Sequence, residues 1–161
     1  MARKLQGLDT GSPEFTSFMT LLRQRHTVLD PTLSVLEDLF SGAPGACSRS
    51  LCGMIERFPP VTRRRLLSGA VAVPAGDEGA YAKALPALLR LLKTLYDGGI
   101  PRMSGTDGFA GYTLHNELEL YVRAGIPAPE VLRMATLVPA QVPGVAGPSQ
   151  RGVIAPGAGP T

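Results

Sequence analysis

Apolar residues recur at helical spacing along most of the chain. Phe18, Leu21 and Leu22 stand at i, i+3 and i+4 and predict a short helix ending near His26. Thr27, Val28 and Leu29 are β-type residues stopped by Asp30-Pro31, which predicts a short strand and then a helix with Pro31 in its first turn. Leu33, Leu36, Leu39 and Phe40 give that helix its buried stripe. SGAPGACSRS reads as loop, and helical pieces follow at about Leu51 to Phe58 and Pro60 to Ser68. The longest helix is expected over Asp77 to Tyr96, with Leu85, Leu88, Leu89, Leu92 and Leu95 on its core face. Pro86 removes one backbone donor inside it and predicts a kink or break near Ala82. Asp97-Gly98-Gly99 ends the helix with residues that tolerate left-handed geometry.

IPRMSGTDG then predicts a second strand leading into a glycine turn, and two last helices run over Thr113 to Ala124 and Pro127 to about Ala140. In the first of these, roughly 100° per residue places Leu114, Leu118, Tyr121 and Val122 on the apolar face. His115 lies at its border, with Glu119 one turn further on and Arg123 one turn beyond that. Glu117 is expected on the opposite, solvated side.

Composition narrows the class. The 161 residues suit one domain with a single core, and 44% hydrophobic with 18% charged residues argues against disorder. A net charge of +3 with no aromatic-interleaved basic motif gives no sign of a nucleic-acid partner. Arg63-Arg64-Arg65 reads as a solvated helix face. No apolar run reaches the roughly 18 residues needed to span a bilayer, and no secretory signal is legible, so no membrane partner and a cytoplasmic location are expected. That compartment favours ordinary thiols for Cys47 and Cys52, with a disulfide or half of a metal site as the alternative. GSPEF matches the translation of two adjoining cloning sites, which assigns residues 1–15 to a vector-derived tag. From Pro143 to Thr161 the Gly/Pro-rich text predicts a tail without helix.

The order YDGGIPRMSGTDG, LHNELELYVRAGIPAPEVLRMATLVPA and RGVIAPG resembles the C-terminal part of the amidohydrolase superfamily, in its imidazolonepropionase-like and prolidase-like branch. HTVLDPTLSVLEDLF resembles the seventh barrel strand and the segment after it. The resemblance covers roughly Thr16 to Gly157 and implies a metal-dependent hydrolase on a (β/α)8 barrel. It sets residues 16–142 as the barrel fragment. It also implies that Asp107 stands for the aspartate at the end of the eighth strand, which binds metal or takes a proton from water. The site of such a barrel lies at the carboxyl ends of its strands. Departures from the family are as informative. The histidine pair of the first strand, the lysine or glutamate of the fourth and the histidines of the fifth and sixth have no counterpart here. His26 and His115 are the only histidines.

Two strands cannot close a barrel, and their edges would remain open to pairing. The expected fold is therefore mostly α with one or two short strands: a partial (β/α)8-barrel fragment, rearranged and completed as a homodimer or higher homo-oligomer. Asp107, His115, Glu119 and His26 are the candidate ligands of a divalent metal, Zn²⁺ by donor type, with Asp107 and Glu119 as candidate catalytic carboxylates. The expected substrates are small molecules with ester, amide or phosphoester bonds. The competing readings give His115 and His26 to helix or carbonyl hydrogen bonds, Asp107 to its own loop and Glu119 to Arg123. They make the chain an inactive fragment that folds by self-association.

Overall fold

The computed structural model describes residues 2–41, 45, 47–68, 73–109, 111–142 and 151–156. It is mostly helical, as the apolar periodicity predicts. Helices α1 (Ala2–Gln6), α2 (Pro13–Gln24) and α3 (Leu33–Ser41) precede a 3-10 helix at Cys52–Arg57. Helices α4 (Pro60–Leu67), α5 (Glu78–Asp97), α6 (Thr113–Arg123), α7 (Ala128–Ala135) and α8 (Leu137–Gln141) follow.

Helix α5 is the central element. Ala84, Leu88 and Leu92 join Leu33 and Phe40 of α3, Leu120 and Tyr121 of α6, and Val131 and Met134 of α7 in the main core. Complete burial of each Leu, Ile or Val contributes about 1.5–3 kcal/mol. A second cluster joins Met19 and Leu22 of α2 to Leu95 and Ile100, so α2 docks at the carboxyl end of α5. Gly99, at φ 72°, lets the chain reverse there.

The two expected strands shrink to one parallel bridge between Leu29 and Arg102. The Leu29 amide donates to the Pro101 carbonyl at 2.9 Å, and the Met103 amide donates to the Leu29 carbonyl at 2.8 Å. Pro31 and Pro101 flank this pair and have no amide to extend it. Arg102 is buried, and its guanidinium stacks 5.1 Å from the Tyr96 ring while donating to the carbonyls of Leu92 and Ile100. These contacts pin the second bridge segment to α5. Burial lowers the Arg102 pKa to about 10, partly offset by Tyr121, Tyr96 and Asp97, so the group stays charged at neutral pH.

Several expectations need correcting. Helix α5 runs through Pro86 without a break. Pro86 and Ala82 both face outward, so water can satisfy the carbonyl that loses its donor. The last expected helix is divided at Thr136, with φ −125° and ψ −71°, because Pro139 has no amide for the carbonyl of Ala135. Cys47 and Cys52 are joined as a disulfide, with Cα atoms 5.4 Å apart, instead of remaining free thiols. The expected vector-derived tag, residues 1–15, is a matter of origin that packing does not decide; residues 2–15 fold onto the rest. Ala2 is buried, Arg3 pairs with Asp77, Gln6 donates to the Gly79 carbonyl at 3.2 Å, and Ser12 caps α2 by accepting from the Phe15 amide at 3.1 Å. Residues 151–156 carry no helix, and the remainder of the expected tail lies outside the described residues.

Glu117 is the largest correction. It is fully buried, not solvated. The buried face of α6 is Thr113, Asn116, Glu117, Leu120 and Tyr121, about one residue out of phase with the Leu114–Leu118–Val122 stripe. The Glu117 carboxylate accepts the amides of Leu33 at 2.9 Å and Ser34 at 2.6 Å, two donors of the first turn of α3 that have no partner within that helix. Glu37 answers from α3: its carboxylate accepts from Asn116 Nδ2 at 2.8 Å and from Arg123 Nη1 at 2.9 Å. Two buried carboxylates thus clamp α3 and α6 together in opposite directions.

Burial raises the Glu117 pKa above its ordinary value, and the two amides only partly oppose it. A carboxyl raised in the folded state contributes most below its unfolded pKa. That contribution is lost as pH rises through the folded value. Glu117→Ala is expected to destabilise the fold by about 3 kcal/mol in urea unfolding, since it orphans two buried amides. Glu117→Gln should flatten the loss of stability expected of wild type as pH rises above 4.5. Equal pH slopes for the two proteins would contradict this assignment.

Candidate functional site

The bridge segments run parallel, so their carboxyl ends emerge side by side, carrying Asp30 on one and Ser104 to Asp107 on the other. The Asp30 carboxylate accepts the Gly105 amide at 2.7 Å. A Cβ at Gly105 would lie 2.1 Å from Asp30 Oδ2, so glycine is what allows the two ends to meet. The Ser104 amide donates to the Met134 carbonyl at 3.2 Å, tying this end to α7. Beneath it, the Tyr121 hydroxyl donates to the Met103 carbonyl at 3.0 Å. Burial, and then the neighbouring Glu117 charge, push the Tyr121 pKa up, so it stays a neutral donor.

Backbone strain gathers around these ends. Among the described residues, three non-glycine residues have left-handed φ: His26 at 49°, Thr32 at 48° and Asp107 at 47°. Two of them bracket the first bridge segment and the third follows the second. Such conformations persist only where surrounding contacts over-determine them. For Thr32, a β-branched residue, that contact is the grip of Glu117 on the next two amides.

The candidate ligands have distinct placements. Asp107 is exposed in the turn before α6, and His26 is exposed where α2 ends. Neither lines the groove that holds His115 and Glu119, which are also exposed, one turn apart on α6. That groove has a volume of about 440 Å³ between α6 and α7, with Leu118, Val122, Val131 and Leu132 as its apolar wall. Glu119 pairs with Arg49 at 3.5 Å across the rim; Arg123, its expected partner, is engaged by Glu37. Among the described residues, no three His, Cys, Asp or Glu side chains form a group that could hold a metal ion. The donor types suit Zn²⁺, but one chain gathers only the pair His115 and Glu119.

A larger cavity of about 600 Å³ lies between α1 and α5 and is lined by Arg90, Lys93 and Arg123. None of the candidate ligands lines it. Sequence reasoning missed Glu117, Glu37 and Asp30, the carboxylates that organise the region. Their signal is the pairing of acids with chain segments whose amides need acceptors, and the linear text does not say which segments meet. Among the described residues, no helix is long and apolar enough to cross a membrane.

The chain matches no family model, no curated protein and no solved structure.

Substitution at Asp107 separates backbone strain from carboxylate chemistry. Asp107→Gly should be neutral to within about 1 kcal/mol, because relief of left-handed strain offsets the added freedom of the unfolded chain. Asp107→Val should cost about 1–2 kcal/mol, since a β-branched residue is disfavoured at positive φ. Urea unfolding of both variants measures this. Equal stability of the two would show that the turn is not strained.

Proposed function

We propose that the chain is a metal-dependent hydrolase of ester, amide or phosphoester bonds, related to the amidohydrolase barrels. Its site is rebuilt around Asp107 and His115, with a second copy supplying the ligands that one chain lacks. The supporting observation is the parallel pairing of Leu29 with Arg102, each segment followed by a carboxylate at its carboxyl end, Asp30 and Asp107. Adjacent parallel strands with acidic residues at that end form the working face of a (β/α)8 barrel.

A bound divalent metal supplies Lewis acidity at the carbonyl or phosphoryl oxygen and acidifies a water. The chain's own residues contribute positioning and proton handling. Asp107 is exposed, in a left-handed turn. His115 and Glu119 share one exposed helix face, so they can act on one ligand together. Asp30 is already committed to the Gly105 amide and serves to keep the turn in place.

A second reading is favoured by one specific observation. Large apolar side chains remain exposed on separate helices: Leu21 on α2 is 48% exposed, Val61 on α4 71% and Leu132 on α7 58%. An inactive amidohydrolase fragment that folds by self-association accounts for those faces without chemistry.

Metal analysis of the purified chain with hydrolysis assays on activated esters, amides and phosphoesters decides between them. The hydrolase reading expects metal on the order of 0.5–1 ion per chain, as for a stoichiometric site. Asp107→Asn and His115→Ala should then lower hydrolysis by about 100-fold or more. Metal below roughly 0.1 ion per chain, with hydrolysis unchanged in both variants, would overturn it.

A further inference from the structure

Helix α5 carries a row of groups that neither the fold nor the proposed chemistry uses. Lys83, Pro86 and Arg90 stand at i, i+3 and i+7, along one side of the helix, and all three are exposed. The row borders two adjoining cavities: the one of about 600 Å³ between α1 and α5, and one of about 330 Å³ that shares Gln6, Pro86 and Arg90 with it. Both sizes fall in the range of small-molecule sites. Among the described residues, every charged side chain lining them is a cation: Lys83, Arg90, Lys93 and Arg123. Lys93 is held by Asp97 at 2.6 Å and Arg123 by Glu37 at 2.9 Å. Lys83 and Arg90 differ, since neither side chain has a hydrogen-bond or ion-pair partner among the described residues. Beside Arg90 the larger cavity is walled by Leu5 and Leu8 on one side and by Ala87 and Leu89 on the other.

We infer that this site binds a small amphiphile with one carboxylate head and an unbranched apolar tail, of the chemical class of medium-chain fatty acids. Charge complementarity selects the head. An unpaired guanidinium offers a planar fork that a carboxylate accepts with both oxygens, and no acid lining the site competes for it. Lys83 stands two turns away, about 10 Å along the axis, so it adds positive potential without sharing the same head. A polyphosphate would need several free cations gathered at one point. The wall selects the tail. Gln6 and Thr94 line the cavity too, but they already donate to the carbonyls of Gly79 and Arg90, so an apolar body gains more there than a sugar or a peptide. Leu5, Gln6 and Leu8 belong to the residues expected as a tag. The inference therefore rests on the charged row of α5, which lies outside them.

Titration of the full chain with decanoate, decanol and acetate, followed by NMR and kept below the micellar concentration, tests the site. Decanoate should bind about tenfold or more tightly than decanol, which keeps the tail, and than acetate, which keeps the head. Arg90→Gln should weaken decanoate by about tenfold or more. Lys83→Gln should weaken it about two- to threefold, a difference that high salt removes. Leu8→Glu, which puts a negative charge in the apolar wall, should weaken it by about tenfold. All three positions are exposed, so circular dichroism should report an unchanged fold. Asp107→Asn should bind decanoate as wild type does, whether or not the chain hydrolyses anything. No binding of decanoate, equal binding of decanol and decanoate, or an Arg90→Gln variant that binds decanoate like wild type would each overturn the inference.

Discussion

The structure depends on a buried carboxylate that has to find donors. Glu117, with no exposed surface, cannot be hydrated, and several kcal/mol of desolvation oppose its charge. The first turn of α3 supplies what it needs: two free amides and the positive end of a helix dipole. The exchange is mutual, since those amides are themselves buried and would be orphaned without an acceptor. Only one relative placement of α3 and α6 satisfies both sides. Glu37, accepting from Asn116 and Arg123, locks the same two helices a turn further along. Apolar packing against α5 supplies most of the favourable energy, yet it is non-directional. The two carboxylates choose the register.

That register propagates to the candidate site. Fixing the start of α3 fixes Thr32 in its left-handed turn, and so the end of the first bridge segment at Asp30. Asp30 in turn holds Gly105. Fixing α6 places Tyr121 beneath Met103 and sets the turn that carries Asp107. Among the described residues one parallel bridge forms, which leaves little sheet to orient these ends. Side-chain carboxylates on backbone amides perform the task that neighbouring strands perform in a closed barrel. The two ends run parallel, and Asp30 and Tyr121 hold them.

Much of the helical layout was legible in the sequence, because i, i+3, i+4 apolar spacing and Pro or Gly punctuation act locally. The limits of α4 and α5 fell within a residue or two of expectation for that reason. The interior of α6 was misread because Leu114, Leu118 and Val122 form a hydrophobic stripe that competes with the true buried face. Hydrophobicity ranks Val122 above Glu117, but burial is decided by what lies opposite, and opposite Glu117 lie unpaired amides. Pro86 was weighed by its missing donor without the outward placement that makes the loss cheap. Thr27 to Leu29 and Ile100 to Met103 have strand chemistry, yet Pro31 and Pro101 limit them to one bridge. The candidate ligands were legible as residue types. Their separation onto the α2 end, the Asp107 turn and the α6 groove was not, since it depends on how the helices cross.

Whether α3 and α6 are joined through Glu117 is best measured by hydrogen exchange at the amides of Leu33 and Ser34. Amides in the first turn of a helix ordinarily exchange quickly, because they have no partner within the helix. If Glu117 holds them, both should be protected to the level of the buried amides of α6 in wild type, opening only with global unfolding. Exchange of both at the rate of an exposed loop would contradict the account.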